Sequence, residues 1–312
     1  MTLPKIFENR LSVPAIASPL FIISQPDLVI AQCRAGVVGS FPSLNARPSG
    51  VFEEWLIRLN AELTDKDAPF AVNLIVHKTN ARLDEDVALC VKYKVPVIIT
   101  SLGARQDIND AIHSYGGIVL HDVIDNQFAK KAIEKGADGL IAVASGAGGH
   151  AGTLSPFALI QEIRSWFDGP LALSGAIANG NSIAAARALG ADLAYIGSAF
   201  IATEEAAAVD EYKQMIADSV ADDIVYSNLF TGVHGNYLRP SIVAAGLDPA
   251  NLPTSDPSKM NFAELSDGKK AWRDIWGCGQ GIGSIDKVVP AAELVARLSR
   301  EYRAALSRLA AL

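Results

Sequence analysis

One histidine stands in a segment otherwise built of small residues, Ala144-Ser145-Gly146-Ala147-Gly148-Gly149-His150-Ala151-Gly152. A free imidazole titrates near pH ~6.5, so His150 suits general acid or base work at neutral pH. Glycines such as Gly148 and Gly149 let the backbone approach a flat ligand closely. The plain alternative is a solvent-exposed loop histidine. Its place just after a strand-like apolar run favours the functional reading. Asn73 ends Phe70-Ala71-Val72-Asn73-Leu74 and offers an amide that both donates and accepts towards a heterocycle edge; a turn-forming Asn is the alternative. His121 and Asp122 follow another apolar run. They can pair with each other, orient a ligand, or join His150 around a metal, although spacing supplies no further ligand, so no metal is expected.

Two further loops suit a phosphate. Ser174-Gly175-Ala176-Ile177-Ala178-Asn179-Gly180 leads into helix-period sequence, and Gly197-Ser198-Ala199 ends the next apolar run. Small residues let backbone N–H groups reach phosphate oxygens, and a helix N-terminus adds a favourable dipole, so no Lys or Arg is needed. Glycines that merely form tight turns are the alternative. Gly277-Cys278-Gly279-Gln280-Gly281-Ile282-Gly283 has a superficial dinucleotide fingerprint. Its context fails, because Lys269–Trp276 is not a convincing buried strand and no βαβ unit follows. It reads as a loop able to lie over a barrel mouth, with Cys278 incidental for want of a neighbouring base or cation.

The elements that must position these groups recur with a clear rhythm. Strands are expected at Pro14–Ala17, Val37–Ser40, Phe70–Leu74, Val95–Thr100, Ile118–His121, Gly139–Ala142, Leu171–Ser174 and Ala194–Gly197. Most are continuously apolar, as parallel strands covered on both faces should be. Helices are expected at Asp27–Arg34, Phe52–Glu62, Asp84–Tyr93, Gln106–Ser114, Asn126–Lys135, Pro156–Trp166 and Asn181–Leu189. Two of these run into Gly136-Ala137-Asp138 and Gly190-Ala191-Asp192, with Gly placed for a left-handed cap. They look like successive units of one architecture. The alternation predicts an α/β fold, a (β/α)₈ TIM barrel over residues 1–203.

The rhythm then breaks. Thr203–Ala221 reads as a helix and Asp222–Gly283 as irregular, so residues 204–283 are expected to form a helical cap on the substrate side. Residues 284–312 recover helical periodicity after Pro290, with Ala291, Leu294, Val295, Leu298, Tyr302, Ala305 and Leu309 on one stripe that packs back on the barrel.

Composition narrows the partners. Half of the 312 residues are hydrophobic, enough for a large core. The net charge of −7 and the lack of a basic stripe argue against nucleic acid. Apolar runs are strand-sized, which argues against a membrane span, and the first ten residues lack the apolar stretch of a secretory signal. Cys33, Cys90 and Cys278 show no paired spacing, which fits a reducing cytoplasm.

Assembled, these motifs resemble the nitronate monooxygenase (2-nitropropane dioxygenase-like) family over most of the chain. The glycine–histidine element is the most specific; Asn73, the two phosphate loops and the Trp276-Gly277-Cys278-Gly279-Gln280-Gly281 loop add to it. The resemblance implies an FMN-dependent oxidoreductase with His150 as its catalytic residue. It implies FMN phosphate on the backbone of Gly175, Ala176, Gly197 and Ser198. Further cofactor contacts are expected from Ala17, Ser18, Pro19, Asn73, His121, Gly148, Gly149, Ser174 and Gln280. The implied substrates are an alkyl nitronate and O₂. An NAD(P)H-dependent reductase of quinones or enoyl thioesters is the alternative, and a homodimer is compatible with either. Two positions differ from relatives: Ala17-Ser18-Pro19-Leu20 replaces a loop with Gln and Met at its ends, and Asp122 stands where quinone-reductase-like members can carry lysine. A flavin-free phosphate-binding barrel or a non-catalytic binding protein is the remaining class. No lysine stands at a strand end for a Schiff base, Lys78 lying beyond the third strand, and the cysteines lie elsewhere than a nucleophile's loop.

Overall fold

The computed structural model describes residues 3–48, 50–230, 232–255 and 274–311. All eight apolar runs become parallel strands of one sheet. They are β1 (Ala15–Ala17), β2 (Gly39–Pro42), β3 (Phe70–Ile75), β4 (Val97–Ser101), β5 (Ile118–Val123) and β6 (Gly139–Val143), then β8 (Leu171–Ser174) and β9 (Leu193–Ile196). β1 pairs with β9, and a parallel bridge from Ile16 to Val38 joins β1 to the segment entering β2, which closes the barrel. The expected (β/α)₈ architecture is the observed one.

Side-chain parity decides what each strand end offers. Successive strand residues point to opposite faces. Ile16, Val38, Ala71, Val97, Ile99, Leu120, Ile141, Ala172, Leu193 and Tyr195 pack together with Phe7 as the barrel interior. Counting two residues on from that layer places Ser18, Asn73, Ser101, Asp122, Val143 and Ser174 inward at the C-terminal ends. The intervening residues, Ala17, Thr100 and His121 among them, point outward to the helix layer.

Seven helices cover the barrel in the expected places: α1 (Pro26–Ala35), α2 (Val51–Glu62), α3 (Leu83–Lys92), α4 (Gln106–His113), α5 (Asn126–Glu134), α6 (Pro156–Arg164) and α7 (Gly180–Leu189). The eighth position follows a long detour. After the short α8 (Ser198–Ile201), the expected helix over Thr203–Ala221 shrinks to α9 (Asp210–Ala217). Its first turns are committed elsewhere: Thr203 bridges Val289, and the Glu205 carboxylate accepts the Ala291 N–H. α10 (Arg239–Ala244) follows, and the last helix, α11 (Ala291–Ala310), fills the gap between α7 and α1. Gly180, at the start of α7, lies so close to α11 that a Cβ there would stand 2.1 Å from the Tyr302 nitrogen. Its N–H is received by the Glu301 carboxylate at 2.8 Å.

The detour is less irregular than expected. β10 (Ile224–Ser227) and β11 (Gly235–Leu238) form an antiparallel pair, and β11 also pairs with the two-residue β7 (Gly149–His150). The stretch 256–273 of the expected irregular segment lies outside the described residues. No helix among the described residues is long and apolar enough to cross a membrane.

Candidate active site

A cavity of about 420 Å³ opens at the C-terminal ends of the barrel strands, where barrel enzymes carry their chemistry. A wider and more open depression beside α9, between Asp210, Glu211, Asp218 and Asp223, carries no strand-end group. The barrel mouth is therefore the candidate site. Ser18 and Pro19 line it from β1, Asn73 from β3, and Gly148, Gly149 and His150 from β7 and the turn before it. Ser174, Gly175 and Ala176 line it from β8, and Gly197 and Ser198 from β9. Three expected contacts stand elsewhere. Ala17 and His121 face the helix layer by strand parity. His121 is buried, with Nδ1 2.6 Å from Thr100 Oγ1, so it is not brought together with Asp122 and His150. Gln280 is exposed and does not line the cavity, although its backbone N–H donates to the Gly146 carbonyl at 2.9 Å.

His150 sits on an ordered strand rather than in a flexible loop. Its partner across the ladder is Gly235, and the Asn236 amide donates to the Ala147 carbonyl at 2.6 Å just upstream. The ring is half-buried on the cavity wall, and desolvation pushes its pKa down to about 4. At neutral pH it is therefore an uncharged imidazole, able to accept a proton.

The glycines serve loop-on-loop packing. Gly146 O accepts from both Ala176 N and Gln280 N, tying the loops after β6 and β8 to the C-terminal glycine-rich loop. A Cβ on Gly148 would stand 2.8 Å from Gly279 N, and one on Gly279 would stand 2.5 Å from Gly146 O. The expectation that Gly277–Gly283 lies over the mouth matches the lining, which includes Gly277, Gly279 and Gly281. Ser198 Oγ receives the Gly279 N–H at 2.8 Å. Cys278 is buried and its thiol pKa is raised by desolvation, so it is held as a neutral thiol.

Opposite these loops lies a polar line that sequence reading only partly found. Asn73 Nδ2 donates to Ile99 O at 3.1 Å and to Ser101 Oγ at 2.7 Å, and Ser101 Oγ donates to Asp122 Oδ2 at 2.5 Å. Burial pushes the Asp122 carboxyl up to about 6, with the Ser101 hydrogen bond pulling the other way. Ser101 was missed because the fourth strand was expected to end at Thr100; parity counted from Ile99 would have found it. Among the described residues, the lining carries no lysine or arginine. Its outer part is apolar, with Leu20, Phe21, Ile22, Leu44, Leu102 and Val209.

A closed barrel whose strand ends place a neutral histidine and small-residue loops around one cavity has the layout of a barrel enzyme. Residues 79–301 match the family described as nitronate monooxygenase. The chain belongs to that family, and with it to the flavin-dependent oxidoreductases. A nitronate monooxygenase of Paraburkholderia phytofirmans is 26% identical, over 95% of this chain and 94% of the relative. A (3aS,4S,5R,7aS)-5-hydroxy-7a-methyl-1-oxo-octahydro-1H-indene-4-carboxyl-CoA dehydrogenase of Rhodococcus jostii is 26% identical over 74% of this chain and 64% of the relative. Among solved structures, FabK of Thermotoga maritima superposes with a TM-score of 0.82 at 23% identity, covering 100% of this chain and 99% of that one. Nitroalkane oxidase of Streptomyces ansochromogenes superposes with a TM-score of 0.81 at 22% identity, covering 97% and 100%.

Proposed function

We propose that the chain is an FMN-dependent monooxygenase of alkyl nitronates in which His150 is the catalytic residue. The observation that carries this reading is the neutral imidazole on the wall of a strand-end cavity, beside the small-residue loops after β8 and β9. The cavity suits a flat phosphorylated cofactor. A Cβ at Gly149 would meet nothing within 4 Å, so open space lies over that backbone. Gly175, Gly197 and Ser198 offer a phosphate corner made of backbone and one hydroxyl. The Ala176 N–H is less available there, being engaged by Gly146 O. Both donor hydrogens of Asn73 are used within the protein, which leaves its Oδ1 as an acceptor towards the occupant.

When bound, FMN supplies the electron transfer between nitronate and O₂. His150 accepts a proton from the substrate's carbon acid form, or donates a hydrogen bond to a nitronate oxygen from its N–H. The covering glycine-rich loop excludes bulk water from that exchange. His150→Asn is expected to retain the flavin absorbance while turnover falls by about a hundredfold or more. Unchanged kinetics in that variant remove His150 from the mechanism.

One observation favours a second reading. The apolar outer wall is larger than a short alkyl nitronate needs, and it suits an NAD(P)H-dependent reductase of a bulkier thioester or quinone. Anaerobic mixing separates the two. Bleaching of the flavin by NADH or NADPH supports the reductase, and bleaching by a nitronate alone supports the monooxygenase.

A further inference from the structure

The hydrogen-bond directions around Asp122 can be assigned from one fixed point. The Ile99 carbonyl can only accept, so the Asn73 side-chain atom 3.1 Å from it is the amide nitrogen. That nitrogen also donates to Ser101 Oγ at 2.7 Å. The Ser101 oxygen thus receives one hydrogen bond, and its own hydrogen has Asp122 Oδ2, 2.5 Å away, as its acceptor. With Ser101 donating to Oδ2 in this arrangement, the proton of a neutral Asp122 resides on Oδ1. No described protein group partners Oδ1, and Asp122 lines the cavity.

The surroundings favour that neutral form. On β4 the neighbour is Ser101, on β6 the inward residues are Ile141 and Val143, and from β9 Tyr195 faces Asp122 with its own ionisation strongly disfavoured by burial. His121, on the same strand, points away to Thr100. His150, also in the lining, is uncharged at neutral pH, and burial keeps the Tyr212 phenol of the lining neutral as well. Among the described residues, no lysine or arginine of the lining offers a counter-charge. Burial raises the carboxyl to about 6, within reach of ordinary working pH.

We propose that Asp122 is a hydrogen-bond donor of the cavity in its acid form, presenting Oδ1–H to a negatively charged oxygen of a planar oxyanion ligand. The site then joins two neutral groups of opposite sense, an acceptor imidazole and a donor carboxylic acid. Such a pair binds a delocalised anion without a fixed positive charge. Ionised Asp122 loses the donor and adds a repelling charge, so anion affinity falls as pH rises through its titration. The inference requires the barrel mouth to be the ligand site, but not that nitronates be the substrate.

Nitrate, a planar oxyanion that stays ionised throughout, is the probe. Its binding to the purified flavoprotein is measured by calorimetry from about pH 5 to about pH 8. The wild-type affinity is expected to fall about tenfold per pH unit above the Asp122 titration. Asp122→Asn keeps a donor that does not titrate, so its affinity is expected to be flat. His150→Gln is expected to keep the wild-type slope. Ser101→Ala, a milder change should Asp122→Asn fold poorly, removes the hydrogen bond that favours the ionised form and moves the onset of the fall upward by about one pH unit. A slope that persists in Asp122→Asn, a flat wild-type profile, an unmoved onset in Ser101→Ala, or no nitrate binding to the wild type at about pH 5 overturns the proposal. None of these readouts depends on turnover, so the nitronate reading stands or falls separately.

Discussion

His150 and Gly235 face each other across an antiparallel ladder, so a strand from the excursion beyond the barrel holds the backbone of the proposed catalytic residue. The contact is tight because Gly235 lacks a side chain. A Cβ there would stand 2.7 Å from Gly149 O and 2.9 Å from Gly149 C, both backbone atoms that yield only if β7 moves. Gly235→Ala is therefore expected to cut turnover at least about tenfold, with a loss of roughly 1–3 kcal/mol from overpacking. The flavin spectrum should survive, since Gly175, Gly197 and Ser198 lie on other elements. Steady-state kinetics beside a thermal melt check this; wild-type kinetics would show that β11 does not position His150.

The ionisable groups near the strand ends predict an opposed pH dependence of stability. His121 and His150 each have a folded pKa of about 4, below the unfolded value. The unfolded chain binds their protons first, so their contribution is complete above about pH 6.5 and is lost as pH falls towards 4. Asp122 has the reverse sign: its folded pKa is about 6, so its contribution is present below about pH 4 and is lost as pH rises through 6. Each histidine is worth roughly 3 kcal/mol at most across the window. Two histidines outweigh one aspartate, so the unfolding free energy is expected to rise from about pH 4 to 6.5. His121→Asn should flatten that rise and leave cofactor binding intact, because His121 faces the helix layer. Urea titrations at several pH values decide the slope, and a shifted flavin affinity in His121→Asn would contradict its outward placement.

Ile22 lines the cavity with φ at 57°, a left-handed conformation that is costly for a β-branched residue. The loop is held in place by Asn45, whose Oδ1 receives the Ile22 N–H at 2.7 Å and whose amide donates to Leu20 O and Ser24 O. The side chain is 49% exposed at the rim, so little burial repays the strain. Ile22→Gly is expected to raise stability by about 0.5–1 kcal/mol, relief of the left-handed strain outweighing the loss of backbone rigidity. It should also raise KM for substrates with longer apolar chains more than for short ones. Equal changes in KM for short and long substrates would rule out a specificity role for this rim.

The parts of this structure that were legible in the sequence are those with local signatures. Parallel strands covered on both faces, such as Val97–Ser101, announce themselves as continuous apolar runs. Parity was available but unused: Leu120 inward puts His121 outward and Asp122 inward, and Ile16 inward puts Ala17 outward. Other features depend on distant pairing. Gly149–His150 is too short to show any period, and its strand character exists only because Gly235 lies beside it. The amphipathic stripe of α11 was plain, yet nothing local says that it fills the gap between α7 and α1. Gln280 was expected to touch the cofactor on the family resemblance, but its backbone N–H and its side chain both meet Gly146 instead.

The repeated Gly-Ala-Asp has a physical cause and gives the last prediction. Asp138 N donates to Val119 O while Asp138 Oδ2 accepts from Val119 N at 2.7 Å. Asp192 repeats this two barrel strands on, with its N donating to Leu171 O and its Oδ2 accepting from Leu171 N at 3.0 Å. Each aspartate thus pins the start of the preceding barrel strand. The two differ in burial. Asp192 is buried against Arg164, whose guanidinium lies 2.6 Å away and is itself mostly covered, whereas Asp138 shares a half-exposed site with His113 at 2.8 Å. Asp192→Asn strands the Arg164 charge and is expected to cost about 3–5 kcal/mol. Asp138→Asn is expected to cost about 1 kcal/mol or less. Chemical denaturation of the two variants tests this, and equal losses would mean that the strand-pinning hydrogen bond, common to both, outweighs the buried charge pair.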